Sequence, residues 1–304
     1  MAAILSYITN FLLGYTALTL SFYMLSLVVP KAAFVARSLA SYMSLVASSL
    51  YGVFASIILR ALGYGQLSQW AVARSFKFLM RLTTGVTFDV QDPKGHLDKV
   101  RPAVFVANHQ TELDVLMLGC VFPKYCSMTA KASLKHTPFL GWFMSLSGSI
   151  FLDRSNSKDA RAKMSGAADE IRNRRQSVYI FPEGTRSYAK DPILLPFKKG
   201  AFHLAVQAQV PIVPVVVANY SHILWIKGLM FNSGRIPCKV LDPIPTTGLT
   251  AADVDELTRT TRELMLQELV TLTQEAREQF GAASKVGQAN GVAKATGAKV
   301  KVAA

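Results

Sequence analysis

The stretch Val104-Phe-Val-Ala-Asn-His-Gln-Thr-Glu-Leu-Asp-Val-Leu-Met117 decides the fold of this chain. The apolar run from Ala103 to Ala107 predicts a buried strand, and Thr111 is the predicted N-cap of the helix that follows. This pattern places His109 at the carboxyl end of a strand. In open α/β sheets, ligands bind at that edge.

Two side chains of this stretch, His109 and Asp114, are suited to act as a general base and the group that orients it. Because they are five residues apart, they do not share one face of a regular helix, and their contact requires the turn between them. If Asp114 holds one ring nitrogen, the other is left to accept a proton from a substrate hydroxyl. The alternative is structural, with Asp114 completing a capping box with Thr111.

Three further segments accompany the first stretch in a fixed order. They are Gly148-Ser-Ile-Phe-Leu-Asp-Arg154, Phe181-Pro-Glu-Gly-Thr-Arg-Ser187 and Val210-Pro-Ile-Val-Pro-Val215. Together with Asn108-His-Gln-Thr-Glu-Leu-Asp114, they resemble the four motifs of the glycerolipid acyltransferases, in particular the lysophosphatidic acid acyltransferase family. The resemblance implies an α/β fold with a mixed, largely parallel sheet flanked by helices and preceded by N-terminal membrane helices.

The resemblance also implies a reaction. A fatty acyl group passes from acyl-CoA, the co-substrate, to the sn-2 hydroxyl of 1-acyl-sn-glycerol-3-phosphate, and the product is phosphatidic acid. His109 is the implied general base and Asp114 its orienter. The implied substrate-binding residues are Lys131, Arg154, Glu183, Gly184, Thr185 and Arg186.

Elementary chemistry agrees with this assignment. A dianionic phosphate needs more than one cation, and Arg154, Arg186 and Lys131 follow three separate predicted strands. The structural alternatives are an Asp153–Arg154 salt bridge and a solvated Lys131. The substrate hydroxyl is itself the nucleophile, and the Gly-x-Ser-x-Gly elbow is missing from the sequence. The predicted oxyanion donors are backbone N–H groups at Gly184 or near the turn that contains His109, which is called the histidine turn below.

The composition predicts a membrane protein. Hydrophobic residues make up 51% of the 304 residues, and the first 30 residues carry no charged side chain. Residues 1–62 therefore hold two predicted membrane segments, although one span plus a monotopic hairpin fits as well. The basic residues after the second segment favour a cytosolic active site. An integral protein of the endoplasmic reticulum is expected, and a bacterial inner membrane fits equally.

The remaining chain divides into three predicted parts. Residues 63–85 predict an interfacial amphipathic helix, or alternatively a helix packed on the catalytic domain. Residues 86–280 form the predicted acyltransferase domain. Residues 281–304 are rich in Ala, Gly, Lys and Val and predict a disordered basic tail.

The formal net charge of +14 suits an anionic lipid surface and phosphorylated substrates. A nucleic-acid partner is not expected, because zinc-finger spacing, RNP-like aromatics and a continuous basic helix are missing from the sequence. Three cysteines form neither a metal-ligand pair nor an even disulfide set. No metal site or tightly bound cofactor is expected, and Mg²⁺ would assist only through substrate phosphates. The oligomeric state stays open.

Two rival functions remain at this point. One is the same chemistry on another acceptor, such as glycerol-3-phosphate or a lysophospholipid with a head group. The other is a non-catalytic membrane protein that binds phosphorylated lipids through its basic loops. The pairing of His109 with Asp114 argues against the second, because lipid binding requires neither side chain.

Overall fold

The computed structural model of the chain describes residues 1–153 and 157–297. The helices are α1 (Ala2–Leu25), α2 (Ala32–Ala61), α3 (Ser68–Thr84), α4 (His96–Lys99), α5 (Asp114–Val121), α6 (Leu140–Leu146), α7 (Ser157–Arg174), α8 (Gly200–Ala208) and α9 (Val254–Gly297). The strands are β1 (Val86–Gln91), β2 (Val104–Ala107), β3 (Cys126–Lys131), β4 (Ile150–Leu152), β5 (Ser177–Ile180), β6 (Ile212–Val217), β7 (Leu224–Trp225), β8 (Met230–Phe231) and β9 (Gly234–Val240).

Seven of the strands form one sheet in the order β1-β9-β6-β2-β5-β3-β4. Strands β6, β2, β5, β3 and β4 are mutually parallel, whereas β9 is antiparallel to β6 and parallel to β1. Strands β7 and β8 pair separately as a short hairpin. This mixed, largely parallel sheet flanked by helices confirms the predicted fold class.

The central strand β2 is buried on both faces, as its continuous apolar sequence predicts. Val104 and Val106 pack on the face covered by α7, α8 and α9. Phe105 and Ala107 pack on the opposite face, against α3 and α5. Because β2 lies in the middle of the sheet, the turn that follows it is held by structure on both sides.

Helices α1 and α2 are each long and apolar enough to cross a membrane. In α1 most side chains are exposed, whereas a third of the most apolar stretch of α2 is buried against the rest of the chain. Arg37 of α2 donates to the carbonyls of Thr84 and Phe231, at 3.0 and 2.8 Å. The apolar helices are therefore fastened to the domain that carries the sheet.

Helix α2 packs closely because its buried side is made of small residues. They recur at every fourth position, so they form one stripe along the helix: Ala32, Ala36, Ala40, Ser44, Ser48, Gly52 and Ser56. A Cβ atom at Gly52 would lie 2.6 Å from the Phe143 ring and 2.9 Å from Val72. Helices α3 and α6 therefore reach the backbone of α2 at this point.

Three local predictions need correction. Helix α5 begins at Asp114 with Leu113 as N-cap, so Thr111 lies in the turn before it. The segment from Lys239 to Ile244 predicts the last strand of the sheet, but the observed strand begins at Gly234, because its pairing with β1 continues through Pro237. The sequence also predicts a helix from Pro196 to about Gln209, and the observed helix α8 begins only at Gly200.

The C-terminal segment also differs from the predicted disordered tail over 281–304. Helix α9 begins after a capping box formed by Thr250 and Asp253, and it continues to Gly297. No proline interrupts the sequence from Val254 to Gly297, and extending a helix costs less than starting one. Residues 298–304 lie outside the described residues.

Helix α3 packs on α2 and α5, which fits the alternative given for residues 63–85, a helix packed on the catalytic domain. The interfacial role of this segment stays a prediction.

We expect Gly52→Ala to lower the thermal stability of the detergent-purified protein. Overpacking of this kind costs about 1–3 kcal/mol, because the buried Phe143 ring must move. The matched control is Gly14→Ala in α1, where an added Cβ meets no atom within 4 Å. Equal melting temperatures for Gly52→Ala and wild type would contradict the close packing of α2.

Candidate active site

The candidate site lies where three neighbouring strands end. His109 follows β2, Glu183 follows β5 and Tyr220 follows β6, and these strands are adjacent in the order β6-β2-β5. Because the three strands are parallel, their carboxyl ends meet at one edge of the sheet. The predicted placement of His109 at this edge is observed.

The histidine and the aspartate are in direct contact. The Nδ1 atom of His109 lies 2.7 Å from Oδ2 of Asp114. The same oxygen accepts hydrogen bonds from the backbone N–H groups of Gln110 and Thr111, at 2.6 and 3.2 Å. Because this carboxylate acts only as an acceptor, Nδ1 carries the imidazole proton and Nε2 is the acceptor nitrogen. The turn between the two residues makes the contact, as the five-residue spacing requires.

Tyr220 supports Asp114 from the opposite side. Its hydroxyl donates to Oδ1 of Asp114 at 2.7 Å and accepts from the Thr111 N–H at 3.1 Å. The ring is fully buried, and burial raises the pKa of the Tyr220 hydroxyl well above its usual value, so the hydroxyl stays a neutral donor. Tyr220 was not predicted from the sequence. The signal that could have found it is a polar aromatic residue two positions after Ala218, where the apolar run ends.

Glu183 binds the backbone of the histidine turn. One carboxylate oxygen accepts the backbone N–H of His109 at 2.7 Å, and the other accepts that of Leu195 at 2.9 Å. The residue is 3% exposed, and burial raises the pKa of its carboxyl group to about 7. Both oxygens are thus engaged inside the protein. This contact is additional to the predicted role of Glu183 in acceptor binding.

The imidazole of His109 lies on an aromatic surface. Its ring is stacked on Phe181, with centroids 4.1 Å apart and planes 11° from parallel. The side chain is 15% exposed, so one edge reaches the outside. Within residues 1–153 and 157–297, Nε2 has no hydrogen-bond partner. A substrate hydroxyl can therefore approach this nitrogen.

The backbone N–H groups proposed as oxyanion donors have other partners. Those of His109, Gln110 and Thr111 donate to the carboxylates of Glu183 and Asp114. The N–H of Gly184 donates to the Phe181 carbonyl at 3.1 Å. These four N–H groups are therefore engaged within the protein, and which donors stabilise an oxyanion stays a prediction.

The loop after β5 carries the other predicted acceptor-binding residues. Gly184 adopts φ +71°, which favours glycine, and a Cβ there would lie 2.9 Å from the Lys198 side chain. Thr185 is exposed. The Nη1 atom of Arg186 lies 3.1 Å from Oε1 of Glu112. The Nε atom of Arg186 is buried and has no hydrogen-bond partner within the described part of the chain.

Of the other predicted cations, Lys131 lies further along the same edge. Lys131 ends β3 and is exposed, and β3 is separated from β2 by one strand, β5. Arg154 lies outside the described residues. The structure thus joins His109, Asp114 and Glu183 directly, links Arg186 to the histidine turn through Glu112, and leaves Lys131 apart.

A cavity of about 580 Å³ opens beside the histidine turn. It is lined by Gln110, Thr111, Glu112, Ser187, Tyr188, Ala189, Tyr220, Ser221, Leu224, Trp225, Ile226 and Lys227. This volume lies in the range of small-molecule sites. Over the described ranges, no three His, Cys, Asp or Glu side chains are grouped to hold a metal ion.

Comparisons with known proteins show the family of this chain. The acyltransferase family model matches residues 77–218. A 1-acyl-sn-glycerol-3-phosphate acyltransferase of Saccharomyces cerevisiae is 42% identical over 233 residues, which cover 77% of this chain and 76% of that protein. The human 1-acyl-sn-glycerol-3-phosphate acyltransferase beta is 44% identical over 64% of this chain and 68% of its own.

A solved structure supports the same conclusion at the level of the fold. The crystal structure of the 1-acyl-sn-glycerophosphate (LPA) acyltransferase of Thermotoga maritima superposes with a TM-score of 0.59 at 22% identity. The match covers 84% of this chain and 96% of that one. With its motifs, its fold and relatives of this similarity, the chain belongs to the 1-acyl-sn-glycerol-3-phosphate acyltransferase family of the glycerolipid acyltransferases.

Proposed function

We propose that this protein transfers a fatty acyl group from acyl-CoA to the sn-2 hydroxyl of lysophosphatidic acid and so forms phosphatidic acid. The observation that carries the proposal is the contact between His109 and Asp114 at the edge of the sheet, 2.7 Å long. It leaves Nε2 as an acceptor on the open side of the ring. The names of the relatives supply the acceptor, lysophosphatidic acid.

The reaction needs one general base. Nε2 of His109 takes the proton of the sn-2 hydroxyl while the hydroxyl oxygen attacks the thioester carbonyl carbon. The resulting imidazolium is stabilised by Asp114. The carbon–sulfur bond then breaks, and the proton passes from His109 to the CoA thiolate, so His109 returns to its starting state.

The acceptor phosphate is assigned to Arg186 and Lys131, with Arg154 as the third predicted cation. Arg186 is supported by its guanidinium, which is partly exposed and pairs with Glu112 through a single nitrogen. Lys131 is supported by its exposure at the same edge of the sheet as His109. Mg²⁺ would act only through the substrate phosphates.

We assign helices α1 and α2 to the membrane, with the sheet domain on the cytosolic side of the endoplasmic reticulum. The exposed apolar side chains of α1 and of the turn after it support this assignment. The anionic surface of the membrane suits a chain with a net charge of +14. Acyl-CoA is water-soluble and lysophosphatidic acid is a lipid, so a site fastened to membrane helices has access to both.

We expect His109→Ala to lower acyl transfer on the order of 10²- to 10⁴-fold, because the base is removed. The measurement is transfer of radiolabelled oleate from oleoyl-CoA to lysophosphatidic acid, glycerol-3-phosphate or lysophosphatidylcholine by purified protein in detergent. His203→Ala is the control, because His203 is exposed on α8. Near-normal turnover by a folded His109→Ala protein would refute the general base. Transfer by wild type to a different acceptor, in place of lysophosphatidic acid, would refute lysophosphatidic acid as the substrate.

We expect Glu183→Gln to lower kcat at least tenfold and to leave the KM for lysophosphatidic acid within about twofold. A glutamine offers one acceptor oxygen, so its NH₂ group faces one of the two backbone N–H groups now bound by Glu183. The histidine turn then shifts relative to the substrate. A raised KM with unchanged kcat would show that Glu183 contacts the acceptor instead.

Glu183 also predicts a pH dependence of stability. Its pKa is raised from 4.5 to about 7 in the folded protein, so the folded state holds a proton that the unfolded state releases between these values. The contribution of Glu183 to the free energy of unfolding is fully present below pH 4.5 and is lost as the pH rises through 7. This contribution is on the order of 3 kcal/mol in total. The melting temperature of wild type should therefore fall relative to that of Glu183→Gln between pH 5 and 8. Parallel plots of melting temperature against pH for the two proteins would contradict the raised pKa of Glu183.

A further inference from the structure

Glu112 and Tyr188 line the cavity beside the histidine turn, and Arg186 contacts both side chains. The Nη1 atom of Arg186 donates to Oε1 of Glu112 at 3.1 Å, and the hydroxyl of Tyr188 donates to the same oxygen at 2.7 Å. Arg186 also donates to the Tyr188 hydroxyl at 3.3 Å. The guanidinium assigned to the acceptor phosphate is therefore in contact with a carboxylate of the protein itself.

The cluster is fixed in position relative to the catalytic base. The N–H of Ser187 donates to the His109 carbonyl at 2.9 Å, and the N–H of Tyr188 donates to the Gln110 carbonyl at 3.1 Å. Tyr188 adopts φ +47°, a conformation that bulky residues rarely take. These contacts hold the ion pair beside the site of reaction, and not on an unconstrained surface loop.

The ion pair is incomplete and partly exposed. Glu112 contacts only one nitrogen of Arg186, whereas a guanidinium can bind an anion through two parallel N–H groups. The two side chains are 36% and 46% exposed, and exposed pairs of this kind are weak. A phosphate monoester carries nearly two negative charges at pH 7, so it outcompetes a single carboxylate for the same cation.

We infer that Glu112 is an intramolecular competitor for the phosphate group of the acceptor. In the absence of substrate, the carboxylate of Glu112 pairs with Arg186. The substrate phosphate displaces this carboxylate on binding, and the carboxylate pairs with Arg186 again when the product leaves. Glu112 thereby weakens the binding of every phosphate monoester at this site, substrate and product alike. It takes no part in the proton transfer, and the inference rests on the proposed function.

The experiment compares wild type with Glu112→Gln, which keeps the shape of the side chain and removes its charge. We expect the KM for lysophosphatidic acid to fall about two- to fivefold, because an exposed ion pair no longer has to be broken. The inhibition constant of inorganic phosphate should fall by the same factor. Glu263→Gln is the matched control, since Glu263 pairs with Arg259 at 2.8 Å on α9, and it should change neither constant.

A second variant tests whether Glu112 acts through Arg186. Arg186→Gln alone should raise the KM, and adding Glu112→Gln to it should then have no effect. An equal fall of the KM in both backgrounds would refute displacement from Arg186, because the carboxylate would then act by charge at a distance. An unchanged or higher KM in Glu112→Gln alone would also overturn the inference, since Glu112 would then be inert or would orient Arg186 for the phosphate.

The failure of this inference and that of the proposed function have different signatures. If wild type transfers no acyl group to lysophosphatidic acid, the proposed function fails and the inference fails with it. If wild type is active, and if its KM for lysophosphatidic acid and its inhibition constant for inorganic phosphate match those of Glu112→Gln, only the role of Glu112 is refuted.

Discussion

The site depends on one buried carboxylate, that of Asp114. It is 1% exposed and accepts hydrogen bonds from the His109 ring, from two backbone N–H groups of the turn and from the Tyr220 hydroxyl. A buried charge is tolerated only when its oxygens are hydrogen-bonded, and here four donors serve two oxygens. The same bonds that stabilise this charge fix the tautomer and the orientation of the imidazole. The structural role of Asp114 therefore coincides with the role proposed for it in catalysis.

Glu183 gives the turn a second fixed point. It joins the His109 N–H to that of Leu195 and so links the end of β2 to the loop that follows β5. Asn108 completes the arrangement, because its side chain donates to the Val217 carbonyl and accepts the Val217 N–H, both at 2.9 Å. The turn is thus bound to both neighbouring strands. A histidine held in this way needs little reorganisation to act as the proposed base.

The apolar helices are coupled to this turn through a continuous layer of helices. Helix α2 packs on α3, and α3 packs on α5, whose first residue is Asp114. The contact between α3 and α5 is close, because a Cβ at Gly119 would lie 2.8 Å from the Ala73 carbonyl oxygen. Arg74 of α3 adds hydrogen bonds to the carbonyls of Gly119 and Cys120, both at 2.7 Å. The position of α2 and the position of the site are therefore fixed relative to each other.

The sequence by itself determined the buried strand β2, which follows from an apolar run of strand length, and it predicted that His109 and Asp114 could meet across the polar turn between them. The fold class followed from the resemblance of four ordered motifs to a known family. The sequence misplaced the start of β9, because a proline within a strand is a local signal against it, and only pairing with β1 overrides that signal. Likewise, three contacts join residues more than 70 positions apart: that of Tyr220 with Asp114, that of Glu183 with the His109 N–H and that of Glu112 with Arg186. The tertiary structure alone decided those contacts, because side chains distant in the chain meet only once the parallel strands bring their carboxyl ends together.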